Sequence, residues 1–101
     1  MPVEATDQVV LILMKSDEGD ATIEVLQSDH PHLEITDRGP YWRIRTNGEI
    51  VIDINRVSEE LGEDIDLSDW LVIMSTFVGR VETGPDFFRV TSEMSDLDNP
   101  S

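Results

Sequence analysis

The sequence predicts an α+β fold in a single small domain, with the element order β-α-β-β-β-α-β-β and a mixed or antiparallel sheet packed with two helices. Its 101 residues fit one domain, and 39% are apolar, enough for a core. Short strand-like segments separated by Gly, Pro and Asn are interrupted by two helix patterns. We expect a short N-terminal arm over residues 1–8, the domain over 9–94 and a flexible tail over 95–101.

The first third of the chain predicts a strand, a helix and a second strand. Residues 9–14, VVLILM, form a continuous apolar run, which is typical of a strand buried on both faces. Ser16 is the expected helix N-cap, and the acidic residues after it favour a helix N-terminus. The helix is expected to end at His30-Pro31. Leu33 and Ile35 then alternate with polar residues, as in a half-buried strand.

Residues 37–54 predict a β-hairpin that turns at Asn47-Gly48. A two-residue turn would mix charged and apolar side chains on each face, whereas a three-residue loop over 46–48 separates them. Because a slip of one residue moves every side chain to the other face, burial favours the three-residue loop. Its last residue, Gly48, would take a positive φ. The resulting pairs are Trp42 with Ile52, Ile44 with Ile50, Arg45 with Glu49, and Tyr41 with Asp53.

The second half predicts a helix and two further strands. Asn55 is expected to cap a short helix that Gly62 ends. Asp66 and Asp69 indicate one capped turn, and residues 71–78 form an apolar strand. A turn at 83–85 leads to the last strand, over 87–90.

The charge of the chain narrows the classes of partner. Twenty-two acidic residues against seven basic ones give a net charge of −15, which argues against nucleic acids and anionic membranes as partners. Two explanations of the negative charge stay open. It could complement a basic docking surface on a protein partner, or it could serve solubility alone. Without cysteine, disulfides, iron–sulfur clusters and cysteine-ligated zinc are excluded. We find no signal-peptide pattern or membrane-spanning run, and expect a cytoplasmic protein.

No pattern for catalysis or metal binding stands out. His30 and His32 could join carboxylates in a metal site, but solvated histidines explain the pair as well. Residues 64–69 imitate the start of a calcium loop, but Asp69 stands where that loop requires glycine, so helix capping is the better explanation. Nucleophile motifs and phosphate-binding glycine loops are absent from the sequence.

Four segments, taken together, resemble one known family. They are VVLILMKSDE at 9–18, DR with YW through NG at 37–48, LV with STFVGR at 71–80, and FRVTSE at 88–93. In this combination the chain is similar to the regulatory (effector, or coupling) proteins of bacterial soluble di-iron multicomponent monooxygenases. The methane monooxygenase type is the most similar of these.

This resemblance implies a non-catalytic component with no cofactor of its own. It implies docking on the hydroxylase above the carboxylate-bridged di-iron site, which affects oxygen activation, substrate access and the coupling of electron delivery from a reductase. The family's hydroxylase-contacting strand corresponds to Ser75, Thr76 and Phe77, which are the predicted partner-binding residues. Because side chains alternate along a strand, all three can reach a partner only if this strand is bulged or lies at a sheet edge.

The chain departs from the methane type in two places. The methane-type protein has a long N-terminal extension, whereas residues 1–8 precede the first predicted strand here. Phe77 is bulky where the resemblance predicts a small residue, so we expect a larger alkane or alkene than methane as the substrate. Simple core packing is the other explanation for Phe77.

Two other functions compete with this one. An acidic inhibitor or nucleic-acid mimic would need its carboxylates on one continuous surface and would bind its target in a salt-sensitive way. A small cofactor-free enzyme would need a concave pocket with carboxylates of raised pKa, and the isolated chain would turn over substrate.

Overall fold

The computed structural model describes residues 8–92. Its strands are β1 (Gln8–Met14), β2 (Glu34–Asp37), β3 (Tyr41–Asn47), β4 (Glu49–Asp53), β5 (Met74–Val78), β6 (Arg80–Gly84) and β7 (Phe87–Thr91). Its helices are α1 (Asp17–Asp29), α2 (Ile54–Leu61) and α3 (Leu67–Leu71). The predicted α+β class is confirmed, with α3 and β6 added to the predicted order. The predicted arm and tail lie outside the described residues, except that Gln8 already begins β1.

The strands form two antiparallel sheets. One has four strands in the order β2-β3-β1-β5, and the other has three in the order β4-β7-β6. The chain passes from the first sheet to the second at Gly48, between β3 and β4, and again at Gly79, between β5 and β6. Both glycines have positive φ, 112° and 134°, a conformation that other residues adopt only with strain.

The predicted hairpin between β3 and β4 is wrong, because these strands belong to different sheets. Arg45 of β3 lies opposite Val10 and Glu34, not Glu49. β4 pairs instead with β7. Gly48 has the predicted positive φ, but its conformation directs the chain into the second sheet rather than back along the first.

The burial expected from the hairpin is nevertheless largely present. Ile44, Ile50 and Ile52 are at most 1% exposed, and Trp42 is partly buried against the same core. Ile44 faces the core from the four-stranded sheet, and Ile50 and Ile52 face it from the three-stranded sheet. The alternation of side chains therefore predicted which residues are buried, although it could not identify the neighbouring strand.

One hydrophobic core joins both sheets and the three helices. Trp70 of α3 and Phe88 of β7 are its largest fully buried side chains. β1 contributes Val9, Leu11 and Leu13, while the residues between them are only half-buried. The expectation that β1 is buried on both faces is therefore wrong, because only one face of the four-stranded sheet packs on the core.

The ends of the helices follow local capping signals. Ser16 accepts a hydrogen bond from the Gly19 N–H at 2.9 Å, as predicted for an N-cap, and Gly62 ends α2 with φ of 85°. α3 begins with a capping box between Asp66 and Asp69, which confirms the predicted capped turn.

The N-cap of α2 is Asp53, not Asn55. One carboxylate oxygen of Asp53 accepts hydrogen bonds from the N–H groups of Asn55 and Arg56, at 3.0 and 3.2 Å. Asp53 is also the last residue of β4, so strand and helix follow one another without a loop.

A buried hydroxyl connects α1 to α3. Thr22, which is 0% exposed, accepts a hydrogen bond from the Trp70 indole N–H at 3.0 Å and donates one to the Glu18 carbonyl at 2.7 Å.

We expect Thr22→Val to lower the free energy of unfolding by about 1–3 kcal/mol, because the indole N–H would be buried without an acceptor. Thr22→Ser keeps the acceptor and should lose less. Equal stability of Thr22→Val and the parent in urea denaturation would contradict this.

Candidate partner-binding site

β5 is an edge strand whose side chains are mostly exposed. Within the described residues it forms the end of the four-stranded sheet and pairs with β1. Four of its five residues are exposed, including Phe77 at 39% and Val78 at 53%. An edge strand of this kind offers a partner both apolar side chains and unpaired backbone groups.

The predicted site residues occupy a bulge and the strand that follows it. Thr76 lies opposite Ile12 of β1, but Met74 lies opposite the adjacent Leu13, so Ser75 is an extra residue at a register shift. Phe77 lies opposite Leu11, on the core side of the sheet, and Thr76 is on the outer side. β5 is therefore both bulged and at an edge, the two arrangements that allow all three side chains to reach one partner.

Phe77 is neither a core residue nor a free surface residue. Its ring lies edge-on to that of the buried Phe88, with 6.5 Å between ring centroids and an interplanar angle of 71°. Phe88 contacts Trp70 in turn, with centroids 5.0 Å apart. The exposed ring therefore rests on a buried aromatic pair. The structure thus supports part of each explanation that the sequence left open for Phe77.

Among the edge strands of residues 8–92, β5 is the one that contains no charged residue. Charged residues are present on the other three edge strands: β2 has Glu34 and Asp37, β4 has Glu49 and Asp53, and β6 has Arg80 and Glu82. Natural sheets use such charges to discourage pairing with other chains. β5 has the sequence MSTFV and lacks this protection in a chain of net charge −15.

Two further exposed apolar residues, one at the end of β5 and one before it, were not among the predicted site residues. Val78 directly follows Phe77, and Val72 precedes β5 with 81% of its surface exposed. A signal for both was present, since residues 70–79 form the longest stretch of the chain without a charged residue. The sequence predicted an apolar strand over residues 71–78, but apolar character alone does not distinguish a buried strand from an exposed one. The start of that strand was also wrong, because α3 extends to Leu71 and β5 begins at Met74.

Several acidic side chains of the two longer helices lie close together. One groove is lined by five carboxylates from α1, α2 and the residue that follows the C-cap of α2: Asp17, Asp20, Glu24, Glu60 and Glu63. They are thus closer together than their scattered positions in the sequence indicate. The Arg56 guanidinium of α2 is paired with Asp29 of α1, donating hydrogen bonds of 3.0 and 3.1 Å to its two carboxylate oxygens.

This ion pair is expected to add a pH-dependent contribution to the stability of the fold. The hydrogen bonds from Arg56 hold the pKa of Asp29 below its ordinary value. A pKa that is lower in the folded than in the unfolded chain stabilises the fold above the unfolded pKa of about 3.9, and this effect is lost as the pH falls through the folded pKa.

We therefore expect Asp29→Asn to lower the melting temperature at pH 7. This difference from the parent should shrink as the pH falls through the folded pKa of Asp29 and the parent carboxyl becomes neutral. Glu60→Gln is the control for the change in net charge. It removes the same charge, but Glu60 forms no ion pair with another residue of the 8–92 range. Thermal unfolding across this pH range checks the prediction. A difference between Asp29→Asn and the parent that is unchanged at the lowest pH would contradict it.

The described part of the chain offers no group of three or more metal-ligating side chains. The rings of His30 and His32 lie edge-on, with centroids 6.0 Å apart. Asp66 and Asp69, from the calcium-like segment, are engaged in the N-terminal cap of α3. Among the helices of residues 8–92, none is long and apolar enough to cross a membrane.

The family of the chain follows from sequence comparison. Residues 7–91 match the MmoB/DmpM family. Methane monooxygenase regulatory protein B of Methylococcus capsulatus is 40% identical over 102 residues, which cover 95% of this chain and 72% of that protein. The protein of the same name from Methylosinus trichosporium is 38% identical over 101 residues, covering 95% and 73%.

Solved structures share the fold. The soluble methane monooxygenase regulatory protein B has a TM-score of 0.73 at 39% identity, covering 99% of this chain and 75% of that one. A chain from a phenol hydroxylase–regulatory protein complex has a TM-score of 0.74 at 24% identity, covering 83% and 97%, and this likeness concerns the fold alone. The curated relatives are regulatory proteins of monooxygenases, which agrees with the predicted non-catalytic component. The chain belongs to the MmoB/DmpM family, as its sequence predicted.

Proposed function

We propose that this protein binds the di-iron hydroxylase of a multicomponent monooxygenase through β5, and that it has no cofactor of its own. Binding modulates oxygen activation, substrate access and the coupling of electron delivery from a reductase to hydrocarbon oxidation. Two relatives are named as methane monooxygenase regulatory proteins. These names support a hydroxylase as the partner. A cytoplasmic location stays a prediction.

One observation carries the choice of β5 as the docking strand. It is an exposed edge strand that contains a bulge and no charged residue, in a strongly acidic chain. Phe77 and Val78 add apolar surface that a partner would remove from water. Uncharged apolar surface at the centre of a contact, surrounded by polar residues, is the usual anatomy of a protein–protein interface.

Regulation requires that the chain bind one hydroxylase conformation more tightly than another, because equal affinity shifts no equilibrium. A tenfold preference corresponds to about 1.4 kcal/mol. At roughly 25 cal/mol per Å² of apolar surface, that is a difference of about 55 Å² in buried area. Covering part of the exposed surface of Phe77 and Val78 in one conformation only would be sufficient.

The size of the Phe77 side chain bears on the substrate of the hydroxylase. Its exposed ring is larger than the small residue that the family resemblance predicts at this position. We propose that the ring lies against the part of the hydroxylase that controls substrate entry, and that the physiological substrate is an alkane or alkene larger than methane.

Phe77→Ala tests this proposal. We expect the variant to weaken hydroxylase binding about tenfold, because a large interface side chain is lost. It should also change the relative turnover of a small and a large hydrocarbon in the reconstituted oxygenase. The free energy of unfolding should fall by about 2 kcal/mol, less than the 3–5 kcal/mol of a fully buried phenylalanine.

Val81→Ala is the matched control, because Val81 is 36% exposed but lies on the charged edge strand β6. It should leave hydroxylase affinity and substrate preference unchanged. Both variants are compared at a temperature where thermal unfolding shows them to be folded. Loss of stability by Phe77→Ala with unchanged affinity and substrate preference would overturn the role of β5.

A further inference from the structure

We infer that Phe88 is a positioning residue for the docking strand, because it holds the exposed ring of Phe77 in the orientation that meets the partner. This inference rests on the proposed function. It assigns a partner-related role to a residue that is itself 1% exposed and cannot contact the hydroxylase directly.

The contacts of Phe88 lead from the surface to the centre of the core. On one side its ring lies 6.5 Å from that of Phe77, and on the other it lies 5.0 Å from that of Trp70. Trp70 is 0% exposed, and its indole N–H is held by the Thr22 hydroxyl at 3.0 Å. Phe88 is therefore fixed from behind, and it offers Phe77 an edge-to-face contact, a favoured geometry for aromatic pairs.

The position of Phe77 explains why it needs such a support. β5 belongs to the four-stranded sheet and has β1 as its neighbour there, whereas Phe88 belongs to the three-stranded sheet, opposite Ile52 and Thr83. The contact between the two rings therefore bridges the sheets beside the crossing at Gly79. An exposed side chain on a bulged edge strand would otherwise sample several rotamers and would have to be ordered on binding.

The first test uses the free chain. In the parent, NMR should show contacts between the ring protons of Phe77 and Phe88, and one dominant χ1 rotamer for Phe77. Phe88→Leu should remove the ring-current shift of Phe77 and average its rotamers, while the remaining spectrum stays that of a folded protein. An unchanged Phe77 rotamer in Phe88→Leu would overturn the inference without reference to any partner.

The second test is a double-mutant cycle on hydroxylase affinity. Phe77→Ala is measured in the parent and in the Phe88→Leu background, at a temperature where all variants are folded. We expect the loss of affinity caused by Phe77→Ala to be smaller by about threefold or more when Phe88 is absent. Val57→Ala, in the buried part of α2, serves as the control for general destabilisation and should show no such coupling.

The outcomes separate this inference from the proposed function. Coupling of Phe77 with Phe88 but not with Val57 supports the positioning role. A strong effect of Phe77→Ala that is fully additive with Phe88→Leu overturns the positioning role and leaves docking through β5 intact. If Phe77→Ala has no effect on affinity in the parent, docking through Phe77 is wrong and the positioning role falls with it.

Discussion

Gly79→Ala is expected to lower the free energy of unfolding by about 2–5 kcal/mol, from backbone strain and overpacking together. The φ of Gly79 is 134°, which other residues rarely adopt. A Cβ there would lie 2.5 Å from the Thr91 carbonyl oxygen and 2.9 Å from a Val90 methyl carbon. Thr91 is a backbone partner of both Glu49 and Arg80, so it cannot move aside without disturbing the three-stranded sheet.

Gly48→Ala is the matched control for this prediction. Gly48 makes the other crossing between the sheets, with φ of 112°, but nothing lies within 4 Å of a Cβ built there. The Gly48→Ala variant should therefore lose only the free energy of unfolding that backbone strain costs, about 1–2 kcal/mol. Urea denaturation of both variants measures the difference. Equal losses of stability would show that the close approach of Gly79 to β7 has no energetic weight.

Trp70→Ala is expected to lower the free energy of unfolding by about 3–5 kcal/mol. Trp70 is fully buried and packs on Phe88, and its loss would leave a cavity between α3 and β7 as well as an unoccupied acceptor on Thr22. For a domain of this size the change corresponds to a fall in melting temperature of about 15–30 °C.

Trp42→Ala provides the comparison for Trp70→Ala. Trp42 is only partly buried, and its ring lies 4.5 Å from the Lys15 ammonium, in a cation–π contact near the surface. Its removal should lower the melting temperature clearly less. Circular dichroism of both variants during heating checks this, and a similar fall for both would contradict the central place of Trp70 in the core.

Several of the features predicted correctly depend only on neighbours in the sequence. The cap at Ser16 and the end of α2 at Gly62 each depend on a hydrogen bond or a backbone conformation within one helical turn. The capped turn at Asp66 is of the same kind. Such signals need no knowledge of the rest of the fold.

The pairing of strands could not be predicted in the same way. β1 lies between β3 and β5, and these contacts join residues far apart in the chain. The pattern around Gly48 is typical of a hairpin, but the same positive φ also serves a crossing between two sheets. Choosing between the two requires knowing that β1 and β7 are available as partners, which is a property of the whole fold.

The candidate site shows the same division. The residues Ser75, Thr76 and Phe77 came from the family resemblance, and their exposure, bulge and edge position became visible only in the structure. The sequence did contain the absence of charge over residues 70–79. The contact between Phe77 and Phe88 joins two sheets and had no signal in the sequence.

Hydrogen exchange of the β5 amides, measured with and without a di-iron hydroxylase, tests the central claim most directly, because it needs no substitution that alters folding. At a sheet edge, the amides that do not bond to β1 are open to solvent and exchange quickly. We predict that hydroxylase slows exchange across residues 75–78 and leaves β6, the exposed edge of the other sheet, unchanged. A hydroxylase that binds and protects another surface while β5 exchanges as before would contradict the account.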